Sequence, residues 1–243
     1  MIKKLFNLFK IGRKLAKSDA LNIASKFHSP PTLIKIFFQI LAFSFSKEEK
    51  KTNINEKEEK KLSKSLQSMG TTFIKLGQFL STRPDIIGKD LAIQLETLQD
   101  KLPAFSLIEA KEIIKKDLGE DVFNSLINIS EPVAAASIAQ VHKAQINDNG
   151  TIKDVAIKIL RPNIKKIFNE EIDAIMLFAF FIESLIKKTR RLKLVEVVFL
   201  LKEITNLEMD LRFEAAAANE YAENTKNDLG FKVPQIYWNF TSE

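Results

Sequence analysis

The chain has 243 residues, of which 45% are hydrophobic, enough for one large domain or two small ones with a buried core. It contains no cysteine and only two histidines, which excludes disulfide frameworks and cysteine–histidine zinc sites and suits a reducing, intracellular compartment. Its 37 basic and 31 acidic residues leave a net charge of +6, which favours anionic partners such as nucleotide phosphates, acidic lipid or nucleic acid.

The N-terminal end is distinct in charge. Its first 17 residues contain six cations and no acid, and apolar side chains alternate with these cations at roughly helical spacing. This pattern is typical of a helix on an anionic membrane surface, and also of an ordinary basic surface helix. No secretory signal follows, so we expect this end to be retained. The apolar stretches 32–46 and 174–186 are shorter than the roughly 20 residues of a membrane span, and each contains a charge. We therefore expect a cytoplasmic protein, peripheral at the inner face of a membrane.

Three helices are predicted in the next part of the chain. Residues 47–64 are dominated by charge and indicate a solvated linker or an exposed helix. Apolar spacing over 62–99 predicts two helices that are separated at Arg83-Pro84-Asp85, because proline disrupts a helix interior. Ser106 and Glu109 form a capping-box pattern that predicts a third helix, which ends near Gly119.

The sequence then changes to a strand pattern. Residues 138–146 and 152–160 read as two strands around Asp148-Asn149-Gly150, a strong signal for an antiparallel hairpin. Long helical patterns follow at about 164–187 and 193–225, and a short strand-like segment covers 233–238. The predicted order is therefore helices, hairpin, helices and strand, which defines an α+β fold.

The second strand of the hairpin carries the most informative motif. Its residues Val155-Ala156-Ile157-Lys158 match the kinase strand whose lysine binds nucleotide phosphates. Alternation along a strand puts Ala156 and Lys158 on one face, where adenine and phosphates would lie. A strand with a single lysine is also a common amphipathic pattern, so the tetrapeptide indicates a kinase strand only together with other motifs.

An alanine-rich turn stands where a kinase has its glycine-rich loop. Its members are Ala134, Ala135, Ala136 and Ser137. Such a turn can present backbone N–H groups to a phosphate, although the added β-carbons restrict close approach, so nucleotide should sit differently. The alternative is a tightly packed turn without a ligand. We interpret the nearby His142 as a structural residue.

Polar residues elsewhere could complete such a site. A kinase lysine requires a glutamate partner on a helix, and Glu214 lies in an alanine-rich helical stretch that Glu208 and Asp210 open. Acids at a helix start are also favoured by the helix dipole alone. Lys75 and Gln78 lie three positions apart on an early helix and project from one face, as many surface pairs do.

In this order, the motifs closely resemble the UbiB family of atypical kinases. They are Lys75-x-Gly77-Gln78, the SerThrArgProAsp segment at 81–85, the alanine-rich turn, the VAIK strand and Glu208-Met209-Asp210, and together they cover the chain from about residue 65. The resemblance implies a helical KxGQ extension packed on a kinase-like N-lobe, covering the usual protein-substrate cleft. It also implies that Lys158 holds ATP phosphates and pairs with Glu214, while Lys75 and Gln78 meet Glu208 and Asp210.

The resemblance implies support of ubiquinone biosynthesis at membranes, with small or lipidic substrates, and ATP and Mg²⁺ as cofactors of the complete protein. Ala139 departs from the family, which usually has glycine there. No catalytic loop or metal-binding Asp-Phe-Gly motif occurs, so we expect the C-lobe to be missing, the chain to hold no catalytic residue or metal ligand, and the fragment to be inactive alone.

The predicted divisions are 1–64 for the basic N-terminus and linker, 65–130 for the helical KxGQ region, and 131–243 for the truncated N-lobe. Three functional hypotheses stay open: part of a split enzyme completed by a separately encoded C-lobe, a non-catalytic nucleotide- or lipid-binding module, or the remnant of a disrupted gene. Nucleic-acid binding is not expected, because the basic residues form no recognised reading motif.

Overall fold

The structure is a computed structural model that describes residues 58–96, 98 and 102–243. The predicted basic N-terminal helix, the apolar stretch 32–46 and most of the charged linker lie outside the described residues. The described part is an α+β fold, as predicted, and its sheet has three antiparallel strands, of which the sequence analysis predicted the two of the hairpin. No helix in this part combines the length and the apolarity that crossing a bilayer requires. The chain forms two compact units.

The first unit contains the early helices and residues 166–202. Its helices are α1 (Glu58–Met69), α2 (Thr71–Ser81), α3 (Pro84–Ile87) and α4 (Lys89–Glu96). The prediction of two helices over 62–99 is therefore wrong, since four helices cover this range. Besides the predicted break before Pro84, Gly70 (φ 103°) and Gly88 (φ 85°) adopt a left-handed backbone that interrupts the helical path and that glycine tolerates without strain.

The core of the first unit forms where these helices meet residues 174 and 175. Met69, Phe73 and Ala174 are buried together. Gly77 of the KxGQ motif is also buried, and a β-carbon there would lie 3.0 Å from Leu98 and 3.1 Å from Leu66. Packing therefore favours glycine at this position of the motif, because its lack of a side chain lets two leucine side chains approach the backbone of α2.

The second unit contains residues 101–165 and 203–243. It begins with α5 (Leu107–Leu118) and α6 (Glu120–Ser125). The capping box is confirmed: Ser106 Oγ accepts from the Glu109 N–H, and the Glu109 carboxylate accepts from the Ser106 N–H, each at 3.2 Å. Gly119, with φ 85°, follows the end of α5 as predicted.

The sheet of the second unit has the order β1 (Pro132–Ala135), β2 (Ala139–Asp148) and β3 (Thr151–Leu160). The predicted hairpin is confirmed, and β2 pairs with β3 from Ala139 opposite Leu160 to Asp148 opposite Thr151. Asn149 and Gly150 both have positive φ, 53° and 86°, the conformation of a type I′ turn. This turn fixes the register, and with it the face to which each side chain of β3 points.

The later helices are α7 (Ile164–Leu185), a 3₁₀ segment (Lys187–Leu192), α8 (Leu194–Glu208) and α9 (Leu211–Asn224). The long helical stretch predicted over 193–225 is thus broken at Met209–Asp210. The Asp210 side chain accepts from the Arg212 N–H and starts a new helix there.

The strand predicted over 233–238 is wrong. Residues 231–237 form no regular structure, and a short 3₁₀ turn, Trp238–Phe240, follows them. Pro234 has no N–H to donate to a strand ladder, which disfavours pairing at this position.

Candidate functional site

The sheet has one covered face and one open face. On the covered face, Ile157 and Ile159 of β3 pack against Ala110 and Ile114 of α5. The open face carries the alternate positions of β3, which include Lys158. Lys158 lies in register with Val141 on β2, and Val141 lies in register with Ala134 on β1. The alternation predicted for Ala156 and Lys158 therefore places both on the open face.

On this open face Lys158 meets Glu214, which comes from the first turn of α9. The lysine Nζ donates to both carboxylate oxygens, at 2.7 Å to Oε1 and 2.5 Å to Oε2. The side chains remain 38% and 59% exposed, so a ligand can reach both, and the pair adds at most about 1 kcal/mol to stability. This pairing positions a cation beside a cavity rather than holding the fold together.

A cavity of about 710 Å³ follows the edge of β3. Lys158, Glu214 and Ala156 line it together with the segment 234–243, and isoleucines from the covered face extend its apolar wall. A volume of several hundred cubic ångströms is typical of small-molecule sites. The small side chain of Ala156 leaves room for a flat ring next to the lysine, so the cavity has the size and shape for a small molecule at this face.

The alanine-rich turn is held by a residue that the sequence analysis missed. The guanidinium of Arg161 donates to the Ala136 carbonyl from Nε at 3.0 Å and from Nη2 at 2.7 Å. It also donates to the carbonyls of Pro103 at 2.9 Å and Leu102 at 3.3 Å. Arg161 directly follows β3, so a single side chain joins the end of the lysine strand to the turn.

The backbone of this turn does not require glycine. Of the described residues outside glycine, those with positive φ are Asn128, Asn149, Asn163 and Lys193, none of which lies in the turn. Ala139, where the family usually has glycine, is buried at the start of β2. The predicted extent of the turn is wrong, because Ala134 and Ala135 pair with β2 as part of β1; of the four residues only Ala136 and the buried Ser137 lie between the strands.

His142 lies in the interior, in keeping with the structural role expected for it. It is fully buried on β2, with Nδ1 2.7 Å from the Ser130 carbonyl and Nε2 2.9 Å from the amide nitrogen of Gln140. The imidazole is thus occupied on both sides and faces away from the open surface where Lys158 lies.

The two acids of the Glu208-Met209-Asp210 motif have different local roles. Glu208 is the last residue of α8. Asp210 caps α9 and binds Arg212, with 2.9 Å from Nε to Oδ1 and 2.7 Å from Nη2 to Oδ2. Arg212 also donates to Glu243 at 2.9 Å, and Lys165 donates to the other oxygen of Glu243 at 3.0 Å. Hydrogen bonding from Arg212 is the main reason why the pKa of Asp210 falls to about 2.

The lowered pKa predicts an acid-dependent loss of stability. Because the folded state favours the Asp210 carboxylate, its contribution is complete above about pH 4 and is lost as the pH falls towards 2. Solvent around Arg212 screens the pair, so we expect the Asp210 carboxylate to contribute about 1 kcal/mol to the free energy of unfolding. Asp210→Asn keeps a capping side chain but removes the charge. Urea unfolding should show the variant weaker by that amount near neutral pH and equal to the wild type near pH 2; an equal difference at both pH values would contradict the assignment.

Lys75 and Gln78 both lie on α2, half-buried, in the first unit, whereas Glu208 and Asp210 belong to the second unit. The predicted contact between the two motifs stays a prediction. Lys158 and Glu214 lie within one unit, and their contact is direct.

An antiparallel sheet whose third strand presents a lysine to a helical glutamate is the arrangement of a kinase-like N-lobe. Residues 97–243 match the ABC1 atypical kinase-like domain. The chain is 38% identical over 177 residues to the probable protein kinase UbiB of Azotobacter vinelandii, covering 72% of this chain and 32% of that protein. It is 35% identical over 212 residues to the probable protein kinase UbiB of Marinobacter nauticus, covering 87% and 37% respectively.

The chain therefore belongs to the UbiB family of ABC1 atypical kinase-like proteins. It spans about a third of the length of these curated relatives.

Proposed function

We propose that the chain is the nucleotide-binding part of a UbiB-type atypical kinase or ATPase that supports ubiquinone biosynthesis. The observation that carries this proposal is the contact between Lys158 and Glu214 on the open face of the sheet, beside a cavity large enough for a nucleotide. A protein-kinase site uses the same pairing to hold the lysine in place for phosphate oxygens.

In this proposal Lys158 contacts the phosphates of ATP, and Glu214 orients its ammonium group. Ala156 borders the base, and the alanine-rich turn, Ala134 to Ser137, lies near the phosphates with its shape fixed by Arg161. ATP would supply the phosphoryl group. We assign no Mg²⁺ ligand to this chain, since in the family these ligands come from the catalytic and metal-binding loops of a C-lobe.

Turnover then requires a C-lobe, which would supply the aspartates that position the nucleophile and the metal. The helical region with Lys75 and Gln78 would restrict the substrate to a small or lipidic molecule such as a ubiquinone precursor. The protein would work as a peripheral protein at an anionic membrane surface.

Nucleotide binding can be tested with two lysines of one strand. Lys158→Ala should weaken ATP binding by roughly tenfold to a hundredfold, because a charge-assisted hydrogen bond contributes about 1.5–3 kcal/mol. Lys153→Ala is the matched control: Lys153 lines the same cavity but pairs with Asp148, and alternation puts it on the other face of β3. Calorimetric titration of both variants gives the comparison. Equal losses in the two variants, or no ATP binding by the wild type, would refute the assignment of the site.

Turnover is tested by mixing the chain with a separately expressed UbiB-type C-lobe. We expect Mg²⁺-dependent ATP hydrolysis only in the mixture, and we expect Lys158→Ala to abolish it. Binding of ATP without hydrolysis in the mixture would contradict the proposed turnover and favour a nucleotide-binding module instead.

A further inference from the structure

The turn between α7 and α8 combines exposed apolar side chains with a run of cations. Residues 187–193 contain five cations and no acid. Within two turns of this segment, Phe180 is 56% exposed and Leu185 72% exposed at the end of α7, and Phe199 is 55% exposed near the start of α8. Phe181 and Leu200 are exposed beside them. We call residues 180–200 the hairpin tip; it belongs to the α7–α8 connection and not to the β2–β3 hairpin.

The hairpin tip is an ordered structure. Arg190 donates to the carbonyls of Glu183 at 3.0 Å and Ser184 at 3.3 Å, and Thr189 Oγ1 donates to the Ile186 carbonyl at 2.8 Å. The Glu183 carboxylate accepts from the Val195 N–H across the turn, at 3.2 Å. These bonds provide donors for the last backbone carbonyls of α7 and link the two sides of the turn.

Two cations of the hairpin tip are free to bind something else. Lys187 and Arg191 are exposed and make no ion pair or side-chain hydrogen bond with any described residue, whereas Lys193 is paired with Glu196. Arg191 lines a cavity of about 360 Å³ with an apolar floor of Leu192, Val197 and Leu200, where the other charged groups are the ion pairs Arg83–Asp85 and Lys193–Glu196. A free guanidinium over an apolar floor is suited to a phosphate that continues into an apolar chain.

We propose that the hairpin tip docks on an anionic phospholipid bilayer. Phe180, Phe181 and Phe199 would enter the boundary between headgroups and acyl chains, while Lys187 and Arg191 contact lipid phosphates. Charge complementarity selects this occupant, because protein interfaces are depleted in lysine and in central charges, whereas exposed aromatic residues beside a cationic run are typical of membrane surfaces. The inference deepens the proposed membrane association and is independent of the nucleotide site.

Sedimentation with vesicles of equal parts phosphatidylcholine and phosphatidylglycerol measures the contribution of charge. The Lys187→Gln, Arg191→Gln double variant should partition about thirtyfold more weakly, since each cation near an anionic surface contributes a factor of about five. The matched control is Lys111→Gln with Lys116→Gln, which removes the same charge from exposed positions of α5. Equal losses in the two double variants, or loss only when Lys3, Lys4 and Lys10 are changed to Gln, would overturn the proposal.

A fluorescence measurement tests insertion at the same place. The chain has one tryptophan, so Phe181→Trp is introduced with Trp238→Phe, and Ile108→Trp in the same background is the matched control on α5. With anionic vesicles, emission from position 181 should shift to the blue and be quenched by brominated lipid, while emission from position 108 stays unchanged. An unchanged emission from position 181 on vesicle-bound protein would overturn the proposal. Lys158→Ala should bind vesicles as the wild type does, which separates this result from the nucleotide site.

Discussion

Replacing Arg161 with alanine is expected to lower the free energy of unfolding by about 3 kcal/mol. The guanidinium donates to three carbonyl groups, those of Ala136, Pro103 and Leu102, and truncation leaves all three without this charged donor. A loss of about 1 kcal/mol for each carbonyl gives the expected total. Urea denaturation of the two proteins measures it.

The matched variant is Arg161→Lys, which keeps the charge. A single ammonium group cannot reach three carbonyls in the fork geometry that arginine provides, so the lysine should recover about a third of the loss. Amide exchange gives a local readout: the Ala136 N–H, which donates to the Ala139 carbonyl at 2.8 Å, should exchange faster in both variants. Full recovery by lysine, or faster exchange spread evenly over the sheet, would show that Arg161 does not clamp the alanine-rich turn.

The hydrogen bonds from Arg161 to the Ala136 carbonyl should also affect nucleotide binding. A kinase loop rich in glycine can close over phosphates because its backbone is permissive. Here the turn has ordinary backbone angles, and its carbonyl at Ala136 is fixed by an arginine that directly follows the lysine strand. We therefore expect nucleotide to meet a preformed turn, and loss of the clamp to weaken ATP binding even though Lys158 and Glu214 are unchanged.

Local signals in the sequence predict the structure of much of the second unit. The hairpin follows from Asn149-Gly150, which adopt the two positive φ angles of a type I′ turn, and α5 follows from its capping box. Once the hairpin is in register, alternation alone puts Lys158 on the open face. Each of these predictions depends on residues a few positions apart, where propensity and geometry act directly.

Sequence patterns do not predict the structure where the deciding contact is distant or the backbone changes at a single residue. Arg161 lies 58 residues from Pro103, so no local pattern announces their hydrogen bond. The apolar spacing continues across Gly70, although the positive φ of this residue ends α1. The apolar spacing over 193–225 does not show the break at Asp210, although the acids there indicate a helix start and the Asp210 side chain caps a new helix. The pairing of Lys158 with Glu214, 56 residues apart, was expected from the resemblance to a kinase family rather than from spacing.

A second large effect is expected at His142, whose tautomer is fixed by its neighbours. The Phe105 N–H donates to Gln140 Oε1 at 2.9 Å, which orients the buried amide so that its nitrogen faces His142 Nε2. That amide nitrogen can only donate, so Nε2 accepts and the proton resides on Nδ1, which donates to the Ser130 carbonyl at 2.7 Å. A continuous chain of bonds thus joins residue 105 to residue 130 through the covered side of the sheet.

We expect His142→Leu to cost about 2 kcal/mol, because the partly buried Ser130 carbonyl loses its partner and the buried Gln140 amide keeps only its bonds to Phe105. Lys143→Leu, at the next, exposed position of β2, is the control and should change stability by less than about 0.5 kcal/mol. Since His142 and Gln140 share one bond, His142→Leu combined with Gln140→Leu should cost less than the sum of the single variants. Additive losses, or an imidazole nitrogen spectrum with the proton on Nε2, would refute the chain of bonds; the expected result would show that the covered face of the sheet fixes the strands on which the open face presents Lys158.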